Sequence, residues 1–440
     1  MKTMKRNSKQ SRRGLVLPLI AAIALCLALL GIGILQLGFG SRVMSAMVMS
    51  EISAREAADA GLARALYSMN YVWINNQPIP LGAHGPETLD NPYGSNVSYI
   101  YEIQRDALSP IVGAFRITST GTSGREQRTV YALTRMSSQF EYALFVTNNI
   151  EMKSGSMVDG YNSDPSTGGG PYGGSNQGRP VQIGSNSTQD RQGSGDEGIF
   201  LLSGAHVIGD VAVGVGGEPG VVIDADENAI SGNTYAMMEP YVWSPILMPS
   251  PADYEVSLPT INYHHDTRSI GIGGTITTAQ TIECAGIDIG NSGVLEVSGN
   301  VQIHVTGNIS LLGSSTEIRI MPGSSLRIYL DGAFDSGNST FFNVVTMDPK
   351  RFILYGTGST EVTWTVRYGG NFYGVIYAPK ANLEVYNSGD IFGSISARSC
   401  EMKNSGSLHY DLALANPVLF PAGYVIDRWW ERIEPVAPTP

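Results

Sequence analysis

The chain has 440 residues, 52 of them Gly, and sets 28 Lys and Arg against 39 Asp and Glu, a net charge of −11. Charged residues make up only 15%, against about 25% in an ordinary soluble domain, which excludes a coiled coil or a charged disordered tail. The acidity argues against a nucleic-acid partner, and three Cys exclude a disulfide-dense miniprotein or a Cys-based metal cluster.

The first residues are basic: Lys2, Lys5, Arg6, Lys9, Arg12 and Arg13 precede the first acid, Glu51. Such a tip stays cytoplasmic while the bulk of the chain crosses the membrane. From Gly14 to Ser41 no residue is charged, a run long enough to span about 30 Å of hydrocarbon as one helix. It is longer than the apolar core of a cleaved secretory signal. Pro18 falls in its first turn, where a missing N–H costs little. Beyond it, Val43, Met44, Met47, Val48, Ala54, Ala58, Leu62, Leu66 and Met69 recur with a period near 3.6, opposite charged positions. Glu51 and Arg55 stand as an i,i+4 opposite pair on that outer side.

Residues 71–95 carry Pro78, Pro80, Pro86 and Pro92 and read as a loop. Val97, Tyr99, Tyr101 and Ile103 alternate as a strand, Phe115 and Ile117 open a second, and 129–133 form a third. After about residue 140 helical periodicity disappears. In 287–330 six short apolar sets recur about eight residues apart, with Gln302, His304, Arg319 and Arg327 pointing outward between them. Gly374–Ala378 reappears as Gly393–Ala397, Asn387-Ser388-Gly389 as Asn404-Ser405-Gly406, and Glu401-Met402-Lys403 echoes Glu151-Met152-Lys153. Imperfect repeats near 18 residues predict the coils of a parallel β-helix. A sandwich of hairpins fits the strand spacing too. Residues 160–195, rich in Gly, Ser and Asn, read as a surface arm or an insert over one coil.

Two stretches carry resemblances. Arg13-Gly14-Leu15 before the apolar run resembles the processing site of a type IV prepilin, and 56–66 (EAADAGLARAL) resembles the AAEAGL-x-RAL run of PilX-type minor pilins. The resemblance implies cleavage after Gly14 by a prepilin peptidase, and an apolar helix that packs among other pilin-like subunits. Leu19 departs from the Glu most pilins carry at that place, which implies a minor rather than a repeating subunit. Phe372–Pro379 (FYGVIYAP) and Leu408-His409-Tyr410-Asp411 resemble the FYGAIYAP run and the FHYDEAL ending of pectin-lyase-like β-helix regions in bacterial surface proteins.

Sites of chemistry are sparse. Asp224-Ala225-Asp226-Glu227-Asn228 begins like a calcium loop but has Ala229 and Tyr235 where Gly and Glu are required. Asp159, Asn162 and Asp164 read as a capped turn, and His264-His265-Asp266 places adjacent His on opposite strand faces. His409-Tyr410-Asp411 reads as the closure of the last coil. Cys284 and Cys400 read either as a disulfide in an oxidising exterior or as small buried hydrophobes. Trp364, Tyr368, Tyr373, Tyr377 and Tyr386 are candidates for an aromatic binding surface, or for ladders that stiffen coils.

The predicted fold class is α+β: a long N-terminal transmembrane, pilin-like helix with a small antiparallel sheet, then a mainly β parallel β-helix. The predicted order is a basic leader (1–14), a transmembrane and extended amphipathic helix (15–69), a pilin-like sheet (70–140), a Gly/Ser/Asn-rich loop region leading into the β domain (141–200), the β-helix (201–415) and a C-terminal tail (416–440). The predicted function is a non-enzymatic minor pilin-like surface protein that displays the β-helix for adhesion. No metal or other cofactor is predicted. The partners are the bacterial inner membrane, other pilin-like subunits, the peptidase and a surface glycan or protein. The alternatives are a membrane-anchored carbohydrate-active β-helix enzyme and a self-associating structural β-helix.

Overall fold

The computed structural model describes residues 16–89, 97–106, 114–190, 198–254, 256–258, 260–263, 267–271, 279–387 and 389–431. The expected leader, with Arg13, Gly14 and Leu15, and the His264-His265-Asp266 group lie outside them. The chain divides into two units, Met1–Arg135 with Tyr424–Pro440, and Met136–Gly423.

In the first unit one α-helix, Val16–Ile74, outruns its expected end at residue 69. Pro18 sits in its first turn. Its two halves differ in burial. Leu19 is 60% exposed and Leu37 76%, whereas Ala54, Ala57, Ala58, Ala65 and Met69 are fully buried. Ala57, Ala58, Gly61 and Ala65 of the 56–66 motif thus form the face that meets a sheet. That sheet runs in the order Gly82–Leu89, Val97–Arg105, Phe115–Ser123, Glu126–Ser138, Pro421–Glu431. The first four pair antiparallel, with Val97 opposite Ser123 and Phe115 opposite Thr134. Val97, Tyr99, Tyr101 and Ile103 are buried, the face their alternation implies.

Two expectations are corrected in this unit. Gly82–Leu89, read as loop from its Gly and Pro, is an edge strand, the position in a sheet where Pro is tolerated. Pro421–Glu431, read as tail, is the opposite strand of the sheet. Asn70 of the helix holds this last strand by paired bonds: Tyr424 N donates to its Oδ1 at 2.6 Å, and its Nδ2 donates to Tyr424 O at 3.0 Å. The Glu51 and Arg55 side chains turn to the sheet as well, Glu51 to Arg128 and Arg55 to Glu431 at 3.6 Å. An ion pair with a strand ties helix to sheet, which an i,i+4 pair cannot do.

The second unit is β-rich, and its strands pair in parallel. One buried column of aliphatic side chains runs through it in register: Ile282, Ile303, Ile328, Leu354, Ile376, Ile395, Leu144, Ile183, Val211. Between Ile395 and Leu144 the column steps back some 250 positions in the chain. The chain therefore lays one arm outward from the middle of the stack and brings the other in from the opposite end. Residues 256–411 form one arm, 144–236 the other, and the layer where they meet is shared, Leu408–Asp411 beside Leu144–Val146 and Asn149–Met152. Parallel pairing thus begins at Leu144, inside the stretch 141–200 expected as a loop region. His409-Tyr410-Asp411 lies mid-stack and does not end it. The echo of 401–403 in 151–153 becomes direct contact, Glu401 against Glu151 and Met402 against Met152. Like charges one strand spacing apart repel. Lys153 lies 3.5 Å from Glu401, and Lys403 lies 3.2 Å from Glu401 and 3.3 Å from Glu384, which offsets that repulsion.

This topology requires a return path. From the layer of Thr234 to that of Val256 is about ten strand spacings, roughly 48 Å. Residues 237–254 can reach roughly 60 Å when extended. Pro240, Pro245, Pro249 and Pro251 keep this strap out of the ladders. Its contacts progress along the stack: Tyr241 with Asn186 and Phe145, Trp243 with Thr147 and Tyr377, Ser244 with Tyr377, Tyr254 on the His304 ring.

The cysteines resolve in favour of the buried reading. Cys284 and Cys400 are buried and free. Their strands lie five layers apart, about 24 Å, far beyond the reach of a disulfide. Burial pushes the Cys284 thiol pKa up to about 11 and the Cys400 thiol to about 12. Both are inert packing groups.

Candidate functional site

Strand parity decides where the five aromatic candidates point. Trp364, Val366 and Tyr368 share the inward face, with Trp364 in register with Leu383 and then Cys400. Trp364 and Tyr368 are accordingly buried. Tyr377 faces outward but lies under the strap, where its hydroxyl donates to Ser244 O at 2.8 Å and Trp243 meets its ring edge-on. These three are core and ladder residues, which corrects their placement on a binding surface. Tyr386 is half-buried, with the Arg367 guanidinium 4.5 Å and the Lys403 ammonium 5.2 Å from its ring centre. Tyr373 alone of the five lines a large hollow.

That hollow has a volume of about 1210 Å³ and opens at the shared layer of the stack. A second, about 480 Å³, adjoins it, and the two share Met347, Asn371 and Tyr373. The floor carries Tyr373 and Phe392, the first two of an outward-facing register that continues in successive layers, buried, through His409 and Asp159. Tyr373 and Phe392 stack with ring centres 4.6 Å apart. The wall is the Gly-rich arm, which folds over this register. Tyr172 lies 4.0 Å from the His409 ring centre and 5.5 Å from that of Phe392. The arm is pinned by its polar residues. Asp159 accepts from Tyr172 Oη at 3.0 Å, from Gly178 N at 2.8 Å and from His409 Nδ1. Asn176 closes the arm on the carbonyls of Asn162, Gly170 and Pro171.

Two ionic groups flank the floor. Asp411, fully buried, accepts from Ser163 N at 2.9 Å, Ser163 Oγ at 2.5 Å and Ala413 N at 3.1 Å, with Lys350 Nζ at 3.5 Å. Lys350 also pairs with Asp348 at 3.0 Å. On the other side His409 Nε2 lies 3.5 Å from Asp390. Tyr161, also at the hollow, is 2% exposed, and its hydroxyl has no hydrogen-bond partner among the described residues. Burial pushes its pKa up. An unpaired buried hydroxyl costs about 1–3 kcal/mol. Among the described residues no group of three or more His, Cys, Asp or Glu side chains is placed to hold a metal ion.

His409 sets a pH dependence. Burial opposes its charged form, but the bonds to Asp159 and Asp390 outweigh this and raise its pKa above the ordinary 6.5. A raised pKa gives stability that is complete below pH 6.5 and is lost as pH climbs through the raised value. Asp390 works in the opposite sense: the bond from His409 lowers its pKa below 3.8, so its share is present above that pH and is lost in stronger acid. The thermal midpoint of the full chain is therefore expected to decline on the alkaline side of 6.5, and His409→Gln to flatten that decline. Parallel slopes in the two proteins would show that His409 carries none of it.

Sequence reasoning missed Tyr161, Tyr172, Lys350, Asp390 and Phe392. One signal was present. The repeat offsets of 19 (374 to 393) and 17 (387 to 404), applied one residue before the first glycine, give 373, 392 and 409.

Residues 274–417, about a third of the chain, match the model of a family described as a domain of unknown function (DUF7305). No curated protein matches. Among solved structures, the competence-associated pilin ComZ from Thermus thermophilus aligns over 88% of this chain and 98% of its own, at 13% identity and a TM-score of 0.27.

Proposed function

We propose that the chain is a non-enzymatic, pilin-like surface protein that is held in the inner membrane by its N-terminal helix. After cleavage behind Gly14 it joins other pilin-like subunits through that helix and presents its second unit for contact outside the cell. The observation that carries this reading is the division of one continuous helix. The half around Leu19–Phe39 is apolar and bare, while the half from Ala54 to Met69 is packed on a sheet. It is the one helix among the described residues long and apolar enough to cross a membrane. In water such a surface is unfavourable at about 25 cal/mol per Å² of apolar area, so it needs lipid or sister helices around it. Leu19 offers no charge to a neighbouring subunit's amine, in keeping with a minor subunit. The second unit acts as a parallel β-helix in this reading, supported by the registered ladders and the continuous aliphatic column.

Mass spectrometry of the chain purified from membranes tests the proposal. The mature protein is expected to begin at Leu15, and Gly14→Val to leave the leader attached. A wild-type chain retaining its basic leader, or one recovered without detergent from the soluble fraction, would sink it.

A further inference from the structure

We infer that the two adjoining hollows form one groove that binds a neutral oligosaccharide. The shared residues Met347, Asn371 and Tyr373 make the hollows continuous, and together they exceed the roughly 300–1,000 Å³ of ordinary small-molecule sites. A groove of this kind suits an extended chain of repeating units. Aromatic rings are spaced along it. Phe341, 40% exposed, lies in the smaller hollow, Tyr373 at the junction and Tyr172 in the larger one. Such rings take the apolar faces of pyranoses. Between them stand carboxamides, Asn343 and Asn371, which both donate and accept and so match hydroxyl groups.

The charges select against an acidic chain. The two cations of the groove are already paired: Arg319 with Glu317 at 2.6 Å and Glu296 at 3.2 Å, Lys350 with Asp348 and Asp411. A uronate carboxylate would have to displace one of those partners and would meet Asp164 and Asp348 on the larger hollow's wall. Tyr161 is the independent sign that something polar belongs there. Its buried hydroxyl lacks a partner among the described residues, and a sugar hydroxyl supplies one. The inference stands apart from the membrane reading, because it concerns only the second unit.

The test is isothermal titration of the detergent-solubilised full chain with cellohexaose, maltohexaose, chitohexaose and hexagalacturonate. At least one neutral hexasaccharide is expected to bind with a Kd below about 1 mM, and hexagalacturonate at least tenfold more weakly. Tyr373→Ala and Phe341→Ala, at partly exposed positions, are expected to weaken that binding tenfold or more. Tyr161→Phe keeps the ring and removes only the hydroxyl, and is expected to weaken binding severalfold with no fall in thermal midpoint. Failure of all three neutral sugars to bind, binding of hexagalacturonate as tight as theirs, or binding unchanged in all three variants would each overturn the inference. Processing at Gly14 is unaffected by any of these outcomes.

Discussion

Asp411→Ala is expected to destabilise the second unit by about 3–5 kcal/mol, the range for removing one partner of a buried, hydrogen-bonded charge. The carboxylate is fully buried and gathers donors from three separate segments: Ser163 on the arm, Ala413 just after its own strand, and Lys350 from between two layers. Deleting the carboxylate leaves the Ser163 and Ala413 N–H groups unpaired, takes from the Ser163 hydroxyl its acceptor, and leaves Lys350 with Asp348 and the Ser163 Oγ. The loss falls at the layer where the two arms of the stack join. Amide exchange is therefore expected to rise first in Leu408–Asp411 and Met157–Tyr161, which pair there, and later in Ile303 or Ile328. Asp411→Asn, which keeps one acceptor oxygen, is expected to cost about half as much, and Ser163→Ala about 1 kcal/mol. Denaturant unfolding of the full chain, followed by tryptophan fluorescence, measures all three. A cost below about 1 kcal/mol for Asp411→Ala would mean that the junction is held by its aliphatic column alone.

The local features of this molecule were open to reading, and its long-range ones were not. An uncharged run between Gly14 and Ser41 leaves little alternative to a helix, and alternation at Val97, Tyr99, Tyr101 and Ile103 leaves little alternative to a strand. The echo of Gly374–Ala378 in Gly393–Ala397 is literally a pair of stacked strands. The echo of 151–153 in 401–403 was visible too, but sequence order suggests that such distant segments end up far apart. Nothing local says that the chain lays its layers outward from the middle, crosses back along a proline-rich strap and returns to meet its own beginning. The misplacement of Tyr377 has the same origin. Its outward parity was readable, but the strap that covers it comes from some 130 residues earlier. Gly82–Leu89 was hidden by its own composition, since Gly and Pro in a sequence mark turns and edge strands alike. The groove escaped for a further reason. Lys350, Asp411 and Ser163 are each ordinary in their neighbourhoods, and only the folded stack brings them together.

Gly121→Ala is expected to be the most damaging single substitution in the first unit, at about 3 kcal/mol, the upper range for overpacking. Gly121 lies mid-strand in Phe115–Ser123, where the sheet passes under the helix. A Cβ there would overlap the Ala54 carbonyl oxygen and the Ala58 amide nitrogen, and would stand 2.8 Å from the Ala57 Cβ. Backbone atoms of a helix cannot rotate aside, so relief requires moving the helix off the sheet. That movement would uncover Ala54, Ala57, Ala58 and Leu62 together. The close approach also explains the Ala at 54, 57 and 58: larger side chains there would hold the sheet away. Gly124→Ala serves as the comparison. Gly124 has a φ of +61°, and a methyl group added to it would meet nothing within 4 Å, so its cost is only the left-handed strain of about 1–2 kcal/mol. Amide exchange along Ala54–Met69 in the detergent-solubilised chain distinguishes the two. Gly121→Ala is expected to accelerate exchange over that whole stretch, and Gly124→Ala only at the 123–126 turn. Equal effects of the two substitutions would show that the helix does not depend on this approach.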